Sequence, residues 1–205
     1  MVLDALERRR ERRRLEEQAI ADGRIPPGQS LTLKWPVLHA ADVPQLDLAT
    51  WEFRVWGLVE QPLSLSWTDF AALPGATLTS DIHCVTRWSK LDNLWEGPTG
   101  RMVLQRAAPL PATRFVLVHA PGYTANLPID ALEGNDVLFA LKHDGEELAP
   151  EHGYPVRLVV PSRYFWKSVK WVTGLEFIAE DEPGYWEERG YHNEGDPYRE
   201  ERFGI

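Results

Sequence analysis

The chain has 205 residues, enough for one domain with a full hydrophobic core, and 43% hydrophobic with 26% charged residues is ordinary for a globular protein. A formal net charge of −9 argues against broad nucleic-acid binding. One cysteine in the whole chain excludes an internal disulfide framework and argues against a thiolate zinc site.

Residues 4–21 read as a charged helix. Glu11 reaches Arg14, and Arg12 and Arg13 reach Glu16 and Glu17, at i,i+3 and i,i+4 spacing. Apolar positions are sparse there. The expectation is a solvated helical arm over residues 1–24, then one domain over 25–205. No apolar h-region follows the six arginines of residues 1–22, and no run approaches the length of a membrane-spanning helix. The expected compartment is the cytoplasm, where a free cysteine stays reduced.

Pro26-Pro27-Gly28 ends the arm, and residues 31–47 are extended and punctuated by proline. Trp51 to Gly57 alternates with period two, the pattern of a half-buried strand. Ser66 and Asp69 resemble a capping box that opens a short helix ending by Pro74-Gly75. Thr77 to Cys84 reads as a strand, and Arg87 to Gly100 as a long loop. A short helix is expected at 101–106, strands at 114–119 and 123–127, and a helical turn from Pro128 through Leu132. The strand expected at 137–142 is closed by Asp144-Gly145, a hairpin signal. His152 to Pro161 is nearly continuous and apolar, as in a strand buried on both faces. Gly174 to Ile178 is a further strand. The tail from Ala179 is acidic but carries Trp186, Tyr191, Tyr198 and Phe203, so it is expected to wrap back onto the domain.

Three features carry chemistry. Cys84 taken alone is most simply a core thiol. His83 beside it on a strand points to the opposite face, which is poor geometry for a nucleophilic pair, whereas Arg87 folding back would favour the thiolate. Arg157, Arg163, Lys167 and Lys170 lie within fourteen residues of an otherwise acidic chain, framed by Phe165, Trp166 and Trp171. A solvated edge strand with protective lysines is one reading of that cluster. An anion nest for a planar, phosphate-bearing ligand is the other, and no Walker A or G-x-G-x-x-G pattern favours a nucleotide. The six histidines show no H-x-x-x-H helical spacing; His39 and His152 stand out because rigid Pro or Gly segments adjoin them.

Three motifs, in this order, resemble the oxidoreductase molybdopterin-binding domain family, and its small bacterial sulfite oxidase-like members in particular. They are His83-Cys84-Val85-Thr86-Arg87-Trp88-Ser89, Gly153-Tyr154-Pro155-Val156-Arg157-Leu158-Val159-Val160-Pro161, and Trp166-Lys167-Ser168-Val169-Lys170-Trp171-Val172. The closing Pro183-Gly184-Tyr185-Trp186-Glu187-Glu188-Arg189-Gly190-Tyr191-His192 segment resembles the small bacterial members as well, and the resemblance covers about residues 30–203. It implies an α+β fold: a single mixed-sheet domain with a barrel-like β core and short flanking helices. It also implies a molybdenum-molybdopterin cofactor, with Cys84 as the thiolate ligand beside the soft dithiolene sulfurs. Phe165, Trp166 and Lys167 match the segment that holds the pterin phosphate, with Ser168 and Lys170 in the same loop. His152 and Arg157 match pterin contacts, and His39 and His119 fall near others. Arg87 is the candidate for orienting substrate.

The implied activity is oxygen-atom transfer to or from a small sulfur or N-oxide substrate, with electrons exchanged with an external donor or acceptor. The sequence departs from the family in two ways. The run Val85-Thr86-Arg87-Trp88 lacks the paired arginines of sulfite oxidases, and the sulfoxide reductases have no arginine at the place of Arg87. A non-catalytic anion- or nucleotide-binding module on the same fold is the alternative.

Overall fold

The computed structural model describes residues 2–40 and 42–204. Helix α1 (Val2–Ala21) leads to β1 (Ser30–Leu31), β2 (Glu52–Gly57), β3 (Leu63–Ser66), α2 (Trp67–Ala71), β4 (Gly75–His83), β5 (Trp88–Pro98) and α3 (Gly100–Ala107). The second half carries β6 (Phe115–Ala120), β7 (Tyr123–Pro128), β8 (Leu138–Ala140), β9 (Lys142–His143), β10 (Glu146–Glu147), β11 (Arg157–Val159) and β12 (Gly174–Ile178). One sheet runs β3-β2-β12-β6-β7, with β2 and β12 parallel and the other neighbours antiparallel. A second joins β1-β5-β9-β10 and carries β4 on β5; β1 is parallel to β5. Strands β8 and β11 pair as an antiparallel ribbon. This is the α+β, mixed-sheet domain the resemblance implies.

The alternating burial of β2 points Phe53 and Val55 inward, where Phe53 meets Phe70 of α2 at 4.7 Å and Phe139 of β8 at 5.3 Å between ring centroids. Val156, Leu158 and Val160 around β11 join the same core, which ties the motif segment to the main sheet. Ser66 caps α2, its Oγ accepting from Asp69 N at 3.2 Å. Asp144 and Gly145 both take positive φ and form the two-residue turn that pairs His143 with Glu146.

Two expectations are corrected. The stretch 87–100 is mostly strand β5, not loop. Its period-two signal is hidden because two of the positions it buries completely are polar, Ser89 and Asn93. Asn93 donates to Ser80 O and Lys90 O, and Ser89 pairs with His83, so neither needs water. The strand expected over 152–161 is only Arg157–Val159; before it, His152 closes a 3-10 turn and Gly153 takes φ +114.

The arm is not wholly solvated. Ala19 packs with Ile25 and Leu31, Glu16 accepts from Leu31 N at 2.9 Å, and Arg12 donates to Leu31 O at 3.2 Å. Arg24 then grips Asp81 through two hydrogen bonds and Asp92 through a third. Among the described residues no helix is long and apolar enough to cross a membrane.

Candidate active site

Strand β4 stops at His83, and Cys84 opens the turn into β5. Cys84 N donates to Trp88 O at 2.8 Å, Arg87 N donates to Cys84 O at 3.0 Å, and Arg87 takes φ +72 to close the turn. Two distant side chains hold this turn. Gln29 Nε2 donates to Cys84 O at 3.0 Å, and Arg202 Nη1 donates to Val85 O at 2.6 Å. The Arg202 guanidinium lies 5.0 Å over the ring of Tyr164. His83 is buried, with its Nδ1 2.8 Å from Ser89 Oγ, and burial pushes its pKa down to about 4. Cys84 is 7% exposed, and Thr86 Oγ1 donates to its sulfur at 3.1 Å. Burial raises the thiol's pKa, while Thr86 and the Arg202 charge oppose the shift.

The cationic cluster is firmly tied down. Arg157 donates from Nη1 to His152 O at 2.8 Å and from Nη2 to Ser168 O at 2.9 Å, and its guanidinium lies 4.1 Å from the Phe165 ring centre. Burial alone lowers its pKa, to about 9. Lys170 Nζ reaches Leu38 O at 2.7 Å, His39 Nδ1 at 2.6 Å and Glu151 O at 3.0 Å. Burial and the Arg157 charge push its pKa down to about 7. Trp35 stacks on His152 at 3.8 Å, and Trp171 donates to Pro150 O at 2.8 Å. The extended segment before β2 is thereby pinned against the segment 150–171.

Both ends line one cavity of about 320 Å³, within the range of roughly 300–1,000 Å³ found for small-molecule sites. Its wall brings together Cys84, His39, His152, Arg157, Phe165, Trp166, Ser168 and Lys170 from the sequence-based set. Three others lie elsewhere. Arg87 is exposed, with its guanidinium against Gly28 near Glu200 and Arg202. His119 pairs with Glu176 at 3.1 Å and faces Trp56. Lys167 is 0% exposed and is saturated by Glu187 Oε1 at 2.7 Å, Asn126 O at 2.8 Å and Asn126 Oδ1 at 2.7 Å. Glu187 also accepts from Trp166 Nε1 at 2.8 Å, so this buried pair holds the indole that faces the cavity. Gly195 packs on the same indole: at φ +70, a Cβ there would lie 2.9 Å from it.

Residues outside the sequence-based set also form the wall: Trp35, Trp88, Tyr123, Trp186 and Tyr191. Tyr191 stacks on Trp186 at 4.8 Å and meets Trp166 edge-on at 5.1 Å. Burial and the nearby Cys84 charge raise its pKa. Trp88 lies in the motif 83–89, and Trp186 and Tyr191 in the closing motif 183–192, but nothing local marks Trp35 or Tyr123 as wall residues.

The wall suits a metal carried by a pterin. Its one soft donor is the thiol of Cys84, a suitable partner for a metal whose other ligands are the soft dithiolene sulfurs of a pterin. Two buried donors at the wall, Arg157 Nε and Trp88 Nε1, have no partner among the described residues, a cost of about 1–3 kcal/mol each unless something else satisfies them. Stacked aromatic walls and the two cations match a planar anionic ligand.

Comparison with known proteins agrees. The profile of the family described as "oxidoreductase molybdopterin binding domain" matches residues 40–186. The "uncharacterized oxidoreductase YuiH" of Bacillus subtilis is 45% identical over 188 residues, covering 91% of this chain and 95% of that protein. A sulfite oxidase of Arabidopsis thaliana is 27% identical over 187 residues, covering 73% of this chain but only 47% of its own length. The solved sulfane dehydrogenase SoxCD from Paracoccus pantotrophus shares the fold, with a TM-score of 0.64 at 24% identity over 70% of this chain and 42% of that one. With the thiol, the cationic loop and the fold in agreement, this chain belongs to the oxidoreductase molybdopterin-binding domain family.

Proposed function

We propose that this protein is a molybdenum-cofactor-dependent oxidoreductase that moves an oxygen atom to or from a small sulfur or N-oxide substrate. The observation that carries the reading is that the only cysteine and the Arg157–Lys170 cluster, distant in sequence, line the same cavity. When bound, the cofactor supplies two-electron oxygen-atom chemistry; the protein supplies ligation, orientation and electrostatics. Cys84 is the thiolate ligand. Arg157, Lys170, His39 and His152 form the polar end that holds the pterin, with Phe165, Trp166 and Ser168 shaping its seat. Gln29 and Arg202 fix the carbonyls of Cys84 and Val85, and so fix the direction of the thiol. Tyr191 lines the cavity and its phenol makes no hydrogen bond to a described residue, which leaves it free to donate one to a substrate oxygen. Electrons pass to or from an external carrier.

Metal and pterin analysis of protein made in a molybdopterin-competent host tests this. About one equivalent of molybdenum is expected, and less than about a tenth of an equivalent sinks the enzyme reading in favour of an anion-binding module. Cys84→Ala is expected to abolish turnover and leave the melting temperature within a few degrees of the parent. Retained turnover with altered stability would make Cys84 a packing residue.

A further inference from the structure

The four cations of the segment 157–170 are all engaged, and their partners differ in kind. Lys167 is held by Glu187 and Asn126, and Arg163 Nη2 lies 3.3 Å from Glu194 Oε2; those partners sit on the tail or on β7. Arg157 spends Nη1 and Nη2 on His152 O and Ser168 O, close by in its own segment, and the Nε it keeps is buried. Lys170 draws on a different kind of segment. Two of its three donors go to Leu38 O and His39 Nδ1, and the third goes to Glu151 O.

Residues 35–40 belong to no helix or strand, and among the described residues none of them makes a backbone–backbone hydrogen bond. Their outer side is open: Val37 is 43% and Leu38 52% exposed, although both side chains are large and apolar. The strap is fastened inward at two points, by the Trp35 ring on His152 and by the Lys170 ammonium on Leu38 and His39. Its inner side, through Trp35, Pro36, Leu38 and His39, is one wall of the cavity. A segment with few buried contacts opens at a small fraction of the free energy of global unfolding.

A phosphate oxygen makes charge-assisted bonds that are stronger than those of a neutral carbonyl, so it competes well for an ammonium. Here the three donors of Lys170 are already matched, and a phosphate gains them only when the strap gives them up. Freeing Lys167 would instead break a buried ion pair, and freeing Arg157 would undo the turn at His152. Lys170 is therefore the cation of this segment that the movement of an irregular stretch of chain releases.

We propose that residues 35–40 are a latch on the cofactor seat. Opening of the strap admits the pterin and frees Lys170, which exchanges Leu38 O and His39 Nδ1 for the incoming phosphate. The cation that holds the loaded cofactor is thus the one that fastens the cofactor-free protein shut. This rests on the molybdenum-cofactor reading above.

The test uses the full chain made in a host that lacks molybdopterin. Inorganic pyrophosphate is the probe, and hydrogen–deuterium exchange of residues 35–40 is the readout. Lys170→Gln is expected to raise exchange there about tenfold and to leave β2 and β12 unchanged. His39→Ala, at an exposed position outside the core, is expected to raise it about threefold. Pyrophosphate is expected to speed exchange of the strap in the parent and to have no effect in Lys170→Gln, while sodium chloride at the same ionic strength does nothing in either. Strap exchange unchanged in both variants, or slowed by pyrophosphate, overturns the latch even where protein from a molybdopterin-competent host carries a full equivalent of molybdenum. A latch that responds as expected in a protein that takes up no molybdenum overturns the functional reading instead.

Discussion

The two ends of the cavity are built in opposite ways. The cationic end comes almost entirely from one stretch, residues 150–171, with a single strap from residues 35–40 laid across it. The thiol end is assembled from five places: Gln29, the 84–88 turn, Tyr123, the 186–191 segment and Arg202. A local site depends on short-range turns and survives small changes elsewhere. A dispersed site depends on the whole chain being folded, and its groups are positioned only as well as the tail is held.

That contrast can be broken first at Lys167. Its ammonium and the Glu187 carboxylate are buried together and fasten the tail to the domain. Lys167→Met leaves Glu187 without its partner and is expected to cost about 3–5 kcal/mol of stability by chemical denaturation, with the double variant Lys167→Met/Glu187→Leu recovering most of it. If Lys167 instead gripped the pterin phosphate, both variants would lose molybdenum in parallel while stability moved little.

Arg202 sharpens the contrast. Arg202→Leu removes a charge-assisted bond to Val85 O and is expected to cost about 1.5–3 kcal/mol. In metal-free protein it should raise the rate of Cys84 alkylation several-fold, because the turn that buries the thiol is released. Arg202→Lys should restore part of the protection. Alkylation unchanged in both variants would mean that the 84–88 turn stands on its own, like the cationic end.

The smallest effect expected is in pH. Burial lowers His152, at the cationic end, and His143, which packs beneath Trp35, to about 4 from 6.5. Between those values the unfolded chain binds more protons than the folded one. Their contribution is therefore complete above about pH 6.5 and is lost as pH falls toward 4. The melting temperature should decline across that window, and less steeply in His143→Gln. A flat profile would mean that these histidines protonate in place.

What could be read from the linear chain followed this same division. The stretch from His152 to Val172 was readable as one candidate site because its residues are neighbours in sequence as well as in space. Arg157, Ser168 and Lys170 were legible together for that reason. The spacing of Lys167 gave no hint that it points away from the cavity, since only the position of Asn126 and Glu187 decides that. Arg87 looked poised beside Cys84, but its left-handed φ turns it outward. Strand β5 read as loop because polar Ser89 and Asn93 occupy fully buried positions, satisfied by partners on β4 and within β5 itself.

The sequence by itself determined the family, the α+β class, the thiol and the cationic loop, because each is carried by contiguous motifs or by a residue that occurs once. The tertiary structure decided which of those groups meet, that Lys167 is a buried strut, and that Trp186 and Tyr191 of the acidic tail line the same cavity as the thiol. Those facts rest on contacts between segments up to 132 residues apart, such as Lys170 with Leu38 or Arg202 with Val85. No local pattern records such contacts, because the energy that selects them appears only when the whole core has packed.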